Sequence, residues 1–137
     1  MQLTTYLTFD GKCEAAFKFY EKCLGGKISA LMTYADSPMA ADIPPESRQK
    51  IIHATLSIGN QQLAGADAMP GHYRHPQGFS VTLNLESVAA AEKIFLELST
   101  MGAVVQMPIQ KTFWAERFGM VVDQFGTPWM INCDGSK

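Results

Sequence analysis

Three polar side chains alternate along one apolar stretch of the sequence and form the first candidate for chemistry. His53, Thr55 and Ser57 occupy every second position between Ile52 and Ile58. In an extended strand this spacing places all three on one face. Because an imidazole titrates near neutrality and suits general acid or base chemistry, we predict that His53 is catalytic and that Thr55 and Ser57 bind substrate. The alternative is a strand histidine that is hydrogen-bonded to a neighbour.

A second candidate is a carboxylate among aromatic residues. Glu116 lies between Trp114 and Phe118, and an apolar pocket would raise the pKa of its carboxyl group toward the range of a useful acid or base. We therefore predict that Glu116 is catalytic. Both aromatic rings could stack on a planar ligand, so we predict that they bind substrate. The alternative for Glu116 is an exposed position in a hairpin. Trp129 alternates with Met130 and is predicted to lie in the core, and Met130 is predicted to bind substrate.

Two hydroxyls extend the candidate site into a second strand. Polar and apolar side chains alternate along residues 79–85, and Ser80 and Thr82 stand at polar positions. Both are predicted to bind substrate. We expect His53, Ser80, Trp114 and Glu116 to converge on one cavity. A polar sheet face usually meets solvent, but it lines a wet cavity if the sheet is curved. The periodicity leaves both possibilities open.

The elements that position these residues follow one order twice. A strand, a helix and three more strands are predicted at residues 3–9, 13–24, 28–34, 51–58 and 61–67. The same order returns at residues 79–85, a helix that Ser87 begins and Gly102 ends, 104–111, 118–122 and 128–133. Gly25 and Gly102, which end the two helices, lie 77 residues apart, so the sequence predicts an internal repeat of whole units. The alternative is two unrelated α+β pieces of similar order.

Length and composition limit the kinds of protein this can be. The chain has 137 residues, a net charge of −2 and scattered basic residues, so a nucleic-acid partner is not expected. No apolar run approaches the ~20 residues that span a bilayer, and no membrane partner is expected. The three cysteines form no CxxC pair, which indicates reduced thiols and a cytoplasmic location.

Three segments resemble a known superfamily. The sequences AFKFYEKCLGG at 16–26, KIIHATLSIGNQQLAGAD at 50–67 and TFWAERFGMVVDQFGTPWMIN at 112–132 are similar to the PhnB-like branch of the vicinal-oxygen-chelate (glyoxalase/bleomycin-resistance/dioxygenase) superfamily. The resemblance implies an α+β fold of two tandem βαβββ modules, whose curved mixed sheets surround a cavity with the helices outside. We expect one domain over residues 1–137, with module one at 1–68, a linker at 69–77 and module two at 78–137.

Members of this superfamily that use a metal take four ligands, typically His or Glu, from the strands of the two modules. The resemblance places those positions at Thr5, near Ser80, at or near Met130 and at Ala64 or Gly65. A shift by one residue would bring Asn132 or Asp67 nearer without completing a set of four ligands. None of these side chains suits the metal, so we expect no metal and no cofactor. Some members of the branch are named demethylubiquinone methyltransferases, but the GxGxG turn typical of nucleotide-derived donors is missing from the sequence.

Three functions remain. The first is an enzyme that acts on a small polar organic molecule by acid/base chemistry. The second is a protein that sequesters a small molecule, for which aromatic side chains and a shaped cavity suffice. The third, a metal-dependent lyase or dioxygenase, is disfavoured by the missing ligands. In each case we expect a small-molecule ligand and, from the resemblance, a homodimer.

Overall fold

The computed structural model describes residues 1–135, and these residues form two compact units that meet in sequence between Arg74 and His75. Each unit contains four strands and one α-helix in the order βαβββ, and unit one has three short 3-10 helices between its second and third strands. The elements of unit one are β1 (Thr5–Phe9), α1 (Cys13–Leu24), β2 (Lys27–Thr33), β3 (Ile51–Ile58) and β4 (Gln61–Asp67). Those of unit two are β5 (Val81–Leu85), α2 (Val88–Leu98), β6 (Val104–Gln110), β7 (Arg117–Val122) and β8 (Pro128–Cys133).

The two sheets have the same topology. In unit one the strand order is β1-β4-β3-β2, and in unit two it is β5-β8-β7-β6. The first strand of each unit runs parallel to the last, and the remaining neighbours are antiparallel. The predicted α+β fold of two βαβββ modules with mixed sheets is therefore confirmed.

Helix α1 packs on one face of its sheet because its apolar side chains recur at helical spacing. Ala16, Phe17 and Tyr20 are fully buried, and Gly25 ends the helix in the left-handed conformation, with a φ of 76°. The contact with the sheet is close: a Cβ atom on Gly65 would lie 2.8 Å from the Phe17 ring. Strand positions that share the side of Gly65 are thus covered by the helix.

Helix α2 covers the second sheet in the same way. Ser87 begins the helix, and its hydroxyl accepts a hydrogen bond from the Ala90 amide at 3.0 Å. Phe95 packs against Gly119, where a Cβ atom would lie only 2.6 Å from the ring. In both units, then, a strand glycine admits an aromatic ring of the helix.

The element ends differ from the sequence prediction at a few positions. The helix predicted to run to Gly102 ends at Leu98. Met101, predicted to lie on its apolar face, instead follows the helix with a φ of 57° and is 81% exposed. Phe79 was predicted to begin a strand, but the strand begins at Val81. Within residues 1–135, no helix has the length and hydropathy that crossing a membrane requires.

Candidate functional site

The sheet of unit one has a face that α1 does not cover, which we call the open face of unit one. Tyr6 and Thr55 both pair with Ala64 across neighbouring strands, so these three residues share a side. The adjacent position on the strand of Ala64, Gly65, lies under Phe17. Because side chains alternate along a strand, His53 lies with Tyr6 and Thr55 on the open face.

His53 is exposed, and both of its ring nitrogens have partners on this face. Nε2 lies 3.1 Å from the Thr55 hydroxyl, and Nδ1 lies 3.4 Å from the Tyr6 phenol oxygen. The Tyr6 and His53 rings stack with their centroids 6.0 Å apart and their planes 27° apart. The contact with Tyr6 is the longer of the two, so it is the weaker hydrogen bond.

Tyr6 is a hydrogen-bond donor in this group. Partial burial, followed by the nearby Cys13 and Tyr34, raises the pKa of its phenol above the ordinary value of 10.0, so the phenol is protonated at neutral pH. A neutral imidazole has one donor and one acceptor nitrogen. The hydrogen bonds among hydroxyl, imidazole and phenol can therefore run in either direction, depending on which ring nitrogen of His53 carries the hydrogen.

Two serine hydroxyls continue the polar surface toward the edge strand. Ser57, a predicted binding residue, lies 3.0 Å from the Ser29 hydroxyl. Ser29 also donates to the Thr55 carbonyl at 3.4 Å. The alternation along the sequence does not reveal Ser29, because β2 has a register irregularity between Ile28 and Ala30.

We did not predict Tyr6, because the resemblance assigned the site position of β1 to the preceding residue, Thr5. The resemblance suggested that Thr5 occupies the first ligand position, but Thr5 pairs with the buried Leu63, whose side is covered by the helix. The open-face position of β1 is Tyr6. The signal was present in the sequence: Leu7 and Phe9 are the apolar phase of this strand, and both are buried.

Unit two has its own open face, opposite α2. Thr82 pairs with Met130, and Phe118 pairs with Asn132, which places these predicted residues on one side of the sheet. Ser80 lies immediately before β5. Because His53 belongs to unit one and these residues belong to unit two, their convergence on one cavity stays a prediction.

Aromatic rings cluster at the hairpin between β6 and β7. The Trp114 ring contacts Phe118 edge-on, with centroids 5.3 Å apart, and contacts Phe113 edge-on at 4.7 Å. Trp114 is 48% exposed and Phe113 is 97% exposed. We did not predict Phe113, although it stands next to Trp114 in the sequence. Such rings offer large planar surfaces to a ligand or a partner.

The surroundings of Glu116 differ from the prediction. An apolar pocket was expected, but the side chain is 46% exposed and lies 3.8 Å from the Lys111 ammonium group. The carboxylate therefore lies beside solvent and a cation and not in an apolar pocket, so the reason given for a general acid at this position is absent. Its catalytic role stays a prediction without that support.

A buried carboxylate in unit one is structural. Asp67 is 2% exposed, and its two oxygens accept hydrogen bonds from the backbone amides of Cys13 and Ile51, each at 2.9 Å. It thereby ties the start of α1 to the start of β3. Burial, and then the Asp67 carboxylate, raise the pKa of the Cys13 thiol, so this thiol stays protonated and is not a nucleophile. Trp129 is buried as predicted and donates its indole N–H to Asp123 at 2.8 Å.

The side chains do not fit the four-ligand metal site of the superfamily. Within residues 1–135, no group of three or more His, Cys, Asp or Glu residues is placed to hold a metal ion. The open-face positions hold Tyr6, Ala64, Thr82 and Met130, none of which supplies the imidazole or carboxylate donors that zinc, iron or manganese take in such sites.

Comparisons with known proteins give consistent results. Residues 2–131 match the family described as Glyoxalase/Bleomycin resistance protein/Dioxygenase superfamily. Protein YjdN of Escherichia coli (strain K12) is 33% identical over 96% of this chain and 95% of its own length. The crystal structure of protein PA1353 from Pseudomonas aeruginosa is 41% identical, with a TM-score of 0.91 over 99% of both chains.

A third relative is similar in fold. The putative 3-demethylubiquinone-9 3-methyltransferase, PhnB protein, from Bacillus cereus has a TM-score of 0.81 over 97% of this chain and 99% of its own. Its sequence identity is 22%.

Proposed function

This chain belongs to the glyoxalase/bleomycin resistance protein/dioxygenase superfamily, and from that premise we propose that it binds a small, uncharged organic molecule on the open face of unit one and transforms it by proton transfer at His53. The observation that carries the proposal is the engagement of both His53 ring nitrogens by hydroxyl groups. No step requires a metal or another cofactor.

The immediate neighbours of His53 support a neutral ligand. Its hydrogen-bond partners are Tyr6 and Thr55, and its cross-strand partner is Met32. None of these three carries a charge at neutral pH. An ionised ligand would find no opposite charge among them to offset the loss of its hydration, whereas a carbonyl or hydroxyl group would find donors and acceptors.

The geometry supports Nδ1 of His53 as the atom that the ligand would contact. The Nδ1 contact with Tyr6 is longer than the Nε2 contact with Thr55, so Nδ1 is the nitrogen whose partner is displaced at lower cost. A ligand at Nδ1 would receive or give the proton there. Tyr6, whose phenol stays protonated, would then be free to donate to an oxygen of the ligand. Thr55 would hold the imidazole in place during the transfer.

The aromatic hairpin of unit two supports a second candidate function. Exposed Trp114 and Phe113 rings beside Phe118 provide stacking surface without any acid or base. A protein that sequesters a flat molecule needs no more than this and a shaped site. Under this alternative, the bound molecule would be recovered unchanged. The third candidate, a metal-dependent lyase or dioxygenase, lacks support from the donor set.

One experiment separates the two candidates. The purified protein is incubated with a metabolite extract, and both the retained and the altered compounds are identified by mass spectrometry. The variants are His53→Ala, with the exposed His72→Ala as its control, and Trp114→Ala, with the exposed Phe79→Ala as its control.

The outcomes are distinct. Consumption of a compound that His53→Ala abolishes and His72→Ala preserves supports proton transfer at His53. Retention of an unchanged compound that only Trp114→Ala abolishes supports sequestration and contradicts the enzymatic proposal. Equal behaviour of all five proteins would contradict both candidates.

A further inference from the structure

Three methionines form a continuous row across the sheet of unit two. Met107 on β6 pairs with Met120 on β7, and Met120 pairs with Met130 on β8. Directly paired residues on antiparallel strands have Cβ atoms roughly 4.5–5.5 Å apart, so the three methionine side chains start from neighbouring positions on the sheet. All three side chains are half-buried. We call this set the methionine row.

The methionine row lies on the open face. Gly119 lies under the Phe95 ring of α2, so the next residue, Met120, points to the opposite side of the sheet. Trp129 and Ile131 are buried, and Met130 between them is on the other side. Thr82 pairs with Met130 and ends the row with a hydroxyl group.

Met107 reaches this face only because β6 is irregular on both sides of it. Val105, Met107 and Ile109 alternate in the sequence, so an uninterrupted strand would place all three under α2. Val105 and Ile109 do lie there, in a groove of about 410 Å³ that Phe95 also lines. Register shifts before and after Met107 turn it alone to the side of Met120. Bulges of this kind re-aim single side chains and are frequent at functional sites.

We propose that the methionine row is a binding site for a soft monovalent cation, Cu(I). Thioethers are soft ligands that select Cu(I) over harder metal ions, and three of them in one row can enclose an ion without a charged side chain. The unbranched methionine chain, with three rotatable bonds, adapts its sulfur position to the ion. Phe118 occupies the next position of β7 on the same face as Met120, and an aromatic ring near the row would attract a cation to its π-system.

This proposal does not rest on the proton transfer proposed at His53. It uses only unit-two residues, and it differs in chemistry from the His and Glu set of the superfamily. A neutral thioether loses no proton when it binds a metal. Its affinity for the cation therefore does not depend on pH, whereas a thiolate site weakens as the pH falls because its thiols must lose protons.

The test uses Ag(I), which has the charge and softness of Cu(I) and no redox chemistry under these conditions. The protein is labelled with methyl-13C methionine, and Ag(I) is added while the methyl resonances of its eight methionines are observed by NMR. We expect three resonances to shift together at one equivalent, and Met→Leu variants identify them. Met120→Leu conserves side-chain volume and is expected to weaken Ag(I) binding by roughly tenfold or more, since loss of a direct ligand costs at least as much as loss of its supporting partners.

The control is Met39→Leu, which changes an exposed methionine of unit one and should leave Ag(I) binding unchanged. The three cysteines are buried, and a titration at pH 5.5 and pH 8 separates thiol from thioether binding. Equal affinity at the two pH values, with shifts confined to the methionine row, supports the site. Shifts spread evenly over exposed methionines, binding that weakens at pH 5.5, or unchanged affinity in Met120→Leu would each overturn it.

Discussion

Replacing Asp67 by Asn should destabilise the protein strongly although it changes only a few atoms. Each carboxylate oxygen of Asp67 accepts one backbone amide, from Cys13 and from Ile51. An asparagine side chain has one acceptor oxygen, and its NH₂ group would face the other amide donor. One hydrogen bond is therefore lost, and a buried amide is left without an acceptor.

The magnitude follows from the burial of the site. A hydrogen bond to a charged group contributes roughly 1.5–3 kcal/mol, and an unsatisfied buried donor costs roughly 1–3 kcal/mol. These two contributions overlap, because both count the same amide. With Asp67 only 2% exposed, solvent cannot compensate, so we expect the free energy of unfolding to fall by about 2–4 kcal/mol.

The measurement is urea unfolding of wild type and Asp67→Asn at pH 7, analysed by linear extrapolation. The control is Asp36→Asn, because Asp36 is exposed and bonds the amide and hydroxyl of Thr33. Its loss should cost less than about 1 kcal/mol. If Asp67→Asn costs no more than Asp36→Asn, the carboxylate does not join α1 to β3 in the way described.

Further predictions concern thiols, alkaline stability and assembly. Cys13 should not react with Ellman's reagent at pH 8 in the folded protein and should react at the unfolding rate; rapid labelling would contradict its burial and raised pKa. Burial, with Asp67 nearby, raises the pKa of Tyr34 above 10.0, so its stabilising contribution is complete below pH 10 and is lost as the pH rises further. In urea unfolding, Tyr34→Phe should therefore lose less free energy of unfolding than wild type as the pH is raised above 10. An equal loss in the two proteins would contradict this assignment. Light scattering at micromolar concentration should give the mass of a homodimer, and a monomer mass would be evidence against it.

Much of the fold could be predicted because the periodicity of apolar residues and the turn-forming residues determine structure within short stretches of the chain. The bounds of α1, β3, β4 and β8 follow from apolar periodicity, from Ser or Gly at element ends, and from turns such as Gly59-Asn60. Errors occur where the hydrogen bonds of single side chains decide. The end of α2 lies three residues before Met101, where the hydroxyls of Ser99 and Thr100 donate to the carbonyls of Phe95 and Glu97 and so end the helix.

The candidate site could be predicted only in part. The phase of β3 placed His53 and Thr55 correctly on the polar side, but their partner Tyr6 comes from a strand 47 residues earlier in the chain. That pairing depends on parallel register between β1 and β4, which sequence alternation alone does not fix. The same limit applies to Met107, whose face is reversed by two register shifts, and to Glu116, whose expected pocket was replaced by solvent and Lys111.

The central claim, that the open face around His53 binds the ligand, is tested most directly by NMR of the imidazole groups. The chain has three histidines, so 15N-labelled imidazoles give three resolvable patterns in the presence and absence of a metabolite extract or of the compound identified from it. We expect the Nδ1 signal of His53 to shift, because the ligand replaces Tyr6, while His72 and His75 stay unchanged. A protein that retains or converts the compound while the His53 signals remain constant would contradict the claim.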